Sequence, residues 1–464
     1  MATLSPPAWS TIRDAIRGSH ADYTREPVGR AVLLLAIPMV LELVLESVFA
    51  VVDVFFVSRL GADAIATVGL TESILTIMYA VIGGLCIGVT AVVARRIGEG
   101  DADGAARAAV QAIALGFAIA IPLGASGVWL APRILATMGA APGVIAHASY
   151  ARVVLGCNVV ILMLFLLNAV FRGAGNAAIA MRVLWIANAM NIVLDPCLIF
   201  GLGPFPRLGV TGAAVATTTG RGIGVAIQFA VLCRGTDRLA LRREHLRIEP
   251  AVMWNMVRLS GSAVLQGLIA TTSWVVLVRA IASFGSDAVA GYTITIRIVI
   301  FALLPAWGMA NAAATLVGQN LGANEPARAE AAVWQTCRYA FVVFGVMTVL
   351  FLAAAGPVVA AFTDEPGVRA IATPGLRIAT IGFLGYALGI VVSQAFNGAG
   401  DMWTPMVVNV LSFWVCGVGL AELLAHRLGF GPSGVFAAMT TAFVMMALSA
   451  APWFRRGRWT STRV

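Results

Sequence analysis

Residues 31–57 read AVLLLAIPMVLELVLESVFAVVDVFFV, a run without a basic residue and with only three acidic ones. A helix crossing the hydrocarbon core of a bilayer needs roughly 20 apolar residues, so this stretch is long enough to span. Its three acids, Glu42, Glu46 and Asp53, are separated by four and seven residues and therefore share one helical face. An ionisable side chain inside a bilayer costs about 2.5–3.5 kcal/mol on insertion scales. Such groups face a cavity and carry function, or they pair with a cation. The run thus predicts a membrane helix with a polar stripe.

Working outward, runs of the same kind recur almost to the C-terminus. Twelve spans are predicted, at 31–57, 64–94, 107–131, 147–171, 177–201, 209–233, 252–282, 287–317, 332–356, 368–395, 404–425 and 432–454. Of the 464 residues, 60% are hydrophobic and 11% charged, too apolar a balance for soluble cores of ordinary size. The expected fold class is an all-α polytopic membrane protein. The first thirty residues contain Arg13, Arg17, Arg25 and Arg30 and lack the pattern of a cleaved leader, so the first span is expected to act as the insertion signal. With the N-terminus inside, 21 of the 31 basic residues fall on inner segments and eight on outer ones. That asymmetry predicts cytoplasmic N- and C-termini in a bacterial inner membrane. It also accounts for the +9 net charge without a nucleic-acid partner.

All the basic side chains other than histidine are arginines. Without lysine the chain has no standard phosphate-binding loop and no Schiff-base chemistry, so ATP is excluded as a direct energy source by that route. Cys86, Cys157, Cys197, Cys233, Cys337 and Cys416 are scattered singly among apolar segments and read as packing residues.

The chain also resembles itself. Leu60-Gly61-Ala62-Asp63-Ala64 matches Phe284-Gly285-Ser286-Asp287-Ala288, and Ile97-Gly98 matches Leu321-Gly322 at the same offset. Ala169 to Gly175 matches Gln394 to Gly400 one residue further out of step. An even number of spans per half makes both halves enter from the same side, which predicts parallel repeats around a central cavity. The expected organisation is a cytoplasmic segment at 1–30, a first lobe at 31–233, a cytoplasmic linker at 234–250, a second lobe at 251–454 and a basic tail at 455–464.

Other polar residues fall where the bilayer should be. The fifth span carries Asn191 and Asp195 on one face, followed by Pro196, which frees the carbonyl of Ile192 as a potential ligand. The sixth carries Thr217, Thr218 and Thr219 about eight residues after it enters, and the ordinary role of such threonines is to bond their own helix. Counted at 1.5 Å per residue, Asp53, Asp195 and Thr217 lie roughly 7–12 Å below the outer surface and can share one site. Two carboxylates with amide and hydroxyl oxygens form a hard, all-oxygen set suited to Na⁺, and a close carboxylate pair also suits H⁺. Glu72 either joins the same cavity or pairs with an arginine. Arg221 and Arg297 read as partners of acids. Asp101-Ala102-Asp103 reads as an ordinary charged loop, and His20, His147, His245 and His426 as isolated residues.

With these residues in place, the chain resembles the multidrug and toxic compound extrusion (MATE) family over essentially its whole length. The resemblance rests on Ile37-Pro38-Met39 through Val52-Asp53 to Leu60-Gly61, on Asn191-Ile192-Val193-Leu194-Asp195-Pro196, and on the paired Gly-Ala-Gly loops. It implies a two-lobed, twelve-helix antiporter exporting organic cations against Na⁺ or H⁺ by alternating access. The implied ion site maps onto Asp53, Asn191, Asp195 and Thr217. Some members carry acids in the seventh and tenth helices, where this chain has Gln266 and Ser393, Gln394 and Asn397. Coupling is therefore expected in the first half, as in DinF-like branches. The substrate cavity is expected to include Glu42, Glu46, Glu72, Gln266, Gln394 and Asn397.

The expected protein is a monomer in contact with membrane lipids, with small cationic amphiphilic substrates, no cofactor beyond the coupling ion, and no enzymatic activity. The alternative is a lipid-linked oligosaccharide flippase of the same superfamily, which calls for a cavity rich in cations. An intramembrane transferase or hydrolase needs a clustered metal site or a nucleophile with its base, and the sequence offers neither.

Overall fold

The computed structural model describes residues 8–462 apart from His20 and Asp237, so the last two residues of the basic tail lie outside the described residues. The described chain is helical almost throughout. Helix α1 (Ala8–Arg17) lies in the segment before the first span, where the sequence predicted no element. The first half continues with α2 (Val28–Val57), α3 (Ala62–Gly98), α4 (Ala102–Thr137), α5 (Pro142–Ala146), α6 (Ala148–Gly156), α7 (Asn158–Gly173), α8 (Ala177–Phe200) and α9 (Val210–Arg234). The second half comprises α10 (Pro250–Ala282), α11 (Ser286–Gly322), α12 (Pro326–Ala360), α13 (Pro366–Ile381), α14 (Phe383–Ala399), α15 (Trp403–Asn409), α16 (Leu420–Glu422) and α17 (Pro432–Arg455).

Among the described residues, ten continuous helical segments are long and apolar enough to cross a membrane. Two bent pairs bring the total to twelve: α6 with α7, bent by 42°, and α13 with α14, bent by 49°. The fourth and tenth spans, expected as straight helices, are therefore broken, at Cys157 and at Gly382. Hydropathy fixes the length of a span and carries no information about its direction. At Gly382 an added methyl carbon would meet Phe443 at 3.0 Å, so the bend lets α17 pack closely there. The eleventh span departs from α geometry too, continuing from α15 into a π-helical stretch at Val410–Gly419, a winding often found near functional sites.

The repeat is visible in backbone detail. Gly61 and Gly285, a matched pair, precede α3 and α11 with φ of 100° and 99°, a conformation that suits glycine. Asp63 then packs against Gly143 at the start of α5, and its counterpart Asp287 packs the same way against Gly367 at the start of α13. A second matched pair, Gly98 and Gly322, brings α3 and α11 into backbone contact, with Gly98 against Gln319 and Gly322 against Arg95. Beside this seam Gln319 Nε2 donates to the Gly173 carbonyl at 2.9 Å.

The apolar cores do not divide at the end of the first half. Ala31 to Met39 of α2 pack in one continuous core with α11, α12, α14 and α17, whereas Val57 packs with α3, α4 and α7. Helix α2 thus belongs to both cores.

The same end of the molecule carries the linker and the N-terminal segment. Tyr23 donates to the Gly175 carbonyl at 3.0 Å, lies under the Arg238 guanidinium at 4.8 Å, and accepts at its carbonyl from Arg328 at 3.1 Å. Burial pushes the Tyr23 hydroxyl up to about 12, so it remains a donor at ordinary pH. Asp101 caps α4 by accepting from the Gly104 N–H at 2.7 Å. His245 is not isolated: its Nε2 lies 3.2 Å from Asp103 Oδ1, tying the linker to that loop.

Candidate functional site

Asp53 on α2, Asn191 and Asp195 on α8, and Thr217 on α9 are the residues with which the sequence builds a shared site. Helix α9 approaches α8 closely because Gly220 has no side chain; a methyl carbon there would lie 2.6 Å from the Ala187 carbonyl oxygen and 3.2 Å from Asn191 N. One turn away, Asn191 Nδ2 donates to Thr217 Oγ1 at 2.9 Å. Asp53, Asn191 and Asp195 are buried, Asp195 completely. Asp53 lies within electrostatic range of both Asp195 and Glu72.

What these groups lack is equally informative. Asp53 Oδ1, Asn191 Oδ1 and both carboxylate oxygens of Asp195 are buried without a hydrogen-bond partner among the described residues. A buried acceptor without a donor is costly, and a carboxylate more so. Four such oxygens on three neighbouring residues match what a small hard cation or a proton satisfies.

The other acids of α2 are engaged differently. Glu42 Oε1 accepts from Asn168 Nδ2 at 3.0 Å and pairs with Arg172 at 3.3 Å, while Glu42 Oε2 is buried without a partner among the described residues, and Asn168 Oδ1 accepts from Gln228 at 2.6 Å. Glu46 pairs with Arg221 at 2.8 Å and accepts from Asn188 at 3.1 Å. The Arg221 guanidinium also donates to the Tyr79 hydroxyl at 3.2 Å and lies 5.6 Å and 5.8 Å from the rings of Phe49 and Phe165.

Two central cavities lie between the halves, of about 400 Å³ and 280 Å³, and share Tyr79, Gly83, Ile87, Gln394 and Asn397. Gln266 lines the larger one together with Trp274, Trp307, Tyr386 and Phe413. Glu42, Glu46 and Glu72, expected on the cavity wall, are not among the described residues lining either cavity. Helical spacing places Glu42 and Glu46 on one face, and the arginines and amides of α7, α8 and α9 occupy that face. Glu72 is exposed and lies within electrostatic range of Arg297 as well as Asp53. The charged side chain among the described lining residues is Arg172, on the smaller cavity.

Sequence reasoning passed over Asn168, Asn188, Gln228 and Tyr79. The amides were discoverable as polar residues inside apolar runs. Nothing in the local sequence distinguishes Tyr79 from other aromatic residues of a span.

Comparison with known proteins supplies independent evidence. The family model described as MatE matches residues 38–197 and 263–423, one segment in each half. The probable multidrug resistance protein NorM of Thermotoga maritima is 25% identical over 443 residues, spanning 93% of this chain and 93% of that protein. The FAD transporter of Shewanella oneidensis is 24% identical over 431 residues, 91% and 93% of the two chains. A solved structure described as the outward-facing conformation of a multidrug resistance MATE family transporter superposes with a TM-score of 0.87 at 25% identity, covering 93% of this chain and 96% of that one.

Proposed function

Because the chain belongs to the MatE family, a family of membrane transporters, we propose that it is a multidrug efflux antiporter whose first half binds the coupling cation. The ion, Na⁺ or H⁺, would occupy Asp53, Asn191 and Asp195, with Thr217 holding the Asn191 amide. The observation that carries this reading is the group of four buried, unpartnered oxygens on those residues. Both termini and the linker face the cytoplasm in this reading, as the arginine asymmetry requires.

An ion drives alternating access only by binding the two access states unequally. The side chains offer a route for that bias. Arg221 lies within electrostatic range of Asp53, pairs with Glu46, and reaches Tyr79, which lines both cavities. A change of charge at Asp53 alters the field on Arg221 and through it the cavity wall.

The cavity is apolar and aromatic, which suits amphiphilic organic substrates. The expected preference for cations rests here on Tyr79, Trp274, Trp307, Tyr386 and Phe413, whose ring faces attract positive charge, instead of on carboxylates in the wall. The flippase reading calls for a cluster of cations, whereas the lining Arg172 is paired with Glu42.

The test is dye efflux from energised cells at matched expression. Asp53→Asn keeps the size of the side chain and removes its charge, so it is expected to abolish gradient-driven export while leaving the protein inserted. Asp195→Asn should be similarly severe and Thr217→Ala milder. Wild-type efflux by Asp53→Asn would overturn the site.

A further inference from the structure

Helix α12 carries an arginine on the face that meets lipid. Arg338 lies six residues inside the ninth span as the sequence predicts it, from 332, which is about 9 Å along the helix. It is exposed, and Val342, Val346 and Val349 continue the same helical stripe at spacings of four, four and three, each exposed as well. Such an apolar stripe faces hydrocarbon, where an arginine is costly unless its charge is met. Arg338 donates to Gln335 Oε1 at 3.4 Å, and among the described residues no carboxylate pairs with it.

A second guanidinium without a carboxylate stands near it. Arg455, the last residue of α17, lies 5.4 Å over the ring of Trp334, one turn of α12 before Arg338. The indole is itself held: Nε1 donates to Glu330 Oε1 at 3.1 Å, and the ring meets Phe454 edge-on at 5.7 Å. Phe454 stacks at 4.5 Å on the buried Trp459, whose Nε1 donates to the Phe454 carbonyl at 2.8 Å. The chain beyond α17 thus folds back and fixes the position of Arg455. Trp334, Arg338 and Arg455, with Cys337, Phe341 and Leu388 of α14, line a groove of about 420 Å³. Among the described residues it shares no lining with the central cavities. It lies toward the end that carries the linker, where Arg328 in the first turn of α12 donates to the Tyr23 carbonyl.

We infer that this groove binds an anionic phospholipid, with its phosphate between Arg338 and Arg455 and an acyl chain along Phe341 and Leu388. Two cations and an indole near the end of the spans, with apolar side chains below them, suit a headgroup and its chain together. A free phosphate would meet the guanidiniums and leave the apolar wall uncovered, and a zwitterionic lipid would bring a cation to them. The inference requires only that the helices span a membrane, so it stands apart from the efflux reading.

Native mass spectrometry of the full-length protein in uncharged detergent tests it, with dioleoyl phosphatidylglycerol, dioleoyl phosphatidylcholine and glycerol 3-phosphate as probes. The wild type should retain a phosphatidylglycerol at concentrations where it retains no phosphatidylcholine, and glycerol 3-phosphate at the same concentration should not displace it. Arg338→Gln and Arg455→Gln should each weaken this binding about fivefold, and together about thirtyfold. Arg456→Gln combined with Arg458→Gln removes as much charge from exposed positions outside the groove, and should change it less than about twofold. Arg338 and Arg455 are exposed, so the lipid-free melting temperature should hold; the single variants decide if the double one melts early. Equal losses from the two pairs would mean general attraction to positive charge and would overturn the inference. Equal retention of both lipids would overturn it too, as would displacement by glycerol 3-phosphate, which would assign the arginines a free phosphate instead.

Discussion

Glu46 and Arg221 illustrate how a charge inside the membrane is kept. Their 2.8 Å pair holds a guanidinium only 6% exposed; Asn188 bonds Glu46 and Tyr79 accepts from Arg221, while Arg221 Nε has no partner among the described residues. Removing one partner of a buried pair leaves the other uncompensated, at about 3–5 kcal/mol, whereas replacing both is often neutral. Glu46→Ala is therefore expected to lower thermal stability markedly in detergent. Glu46→Ala combined with Arg221→Met should recover most of it. A double variant no more stable than the single one would mean that the pair is not what holds Arg221. At this scale the sequence was informative where insertion is costly. Asp53, Asn191 and Asp195 stood out because acids and amides are rare in apolar runs, and their periodicity gave the shared face. What that face meets was not legible. Helical phase says that Glu42 and Glu46 point the same way, and only the packing of α7, α8 and α9 shows that Arg172 and Arg221 are waiting there.

Among the elements, α3 and α11 meet through a glycine from each half. Their backbones touch at Gly98 and Gly322, with Ala94 Cβ 2.7 Å from where a methyl carbon on Gly318 would sit. Gly98→Val is expected to wedge this seam open and to disfavour the state described here. Spin labels at Gly100 and Asn324, just beyond the two helix ends, would report a longer distance in the variant. An unchanged distance would mean that the seam tolerates bulk and is not what closes this end. The repeat that places these glycines was readable from Ile97-Gly98 and Leu321-Gly322. The number of spans was readable from hydropathy as well. The bends at Cys157 and Gly382 and the π-helical stretch from Val410 were not, because they depend on how neighbouring helices pack.

For the whole molecule, the two halves emerge as the sequence suggested, yet α2 crosses between their cores, with Ala31 to Met39 in one and Val57 in the other. Hydrophobic pattern alone cannot assign a helix to a neighbour, so this sharing was invisible in the sequence. Orientation is a further expectation at this scale. A cysteine introduced between 234 and 250 in an otherwise cysteine-free variant should resist an impermeant thiol reagent added to spheroplasts, and ready labelling would reverse the topology. The central claim is that the ion acts through Asp53 and Asp195, and transport by purified protein in proteoliposomes tests it most directly, with Na⁺ and H⁺ gradients imposed separately. The expected result is gradient-driven dye movement by the wild type and by Gln266→Ala with one of the two ions, and none by Asp53→Asn. Wild-type coupling in Asp53→Asn, or coupling lost only in Gln266→Ala, would contradict it.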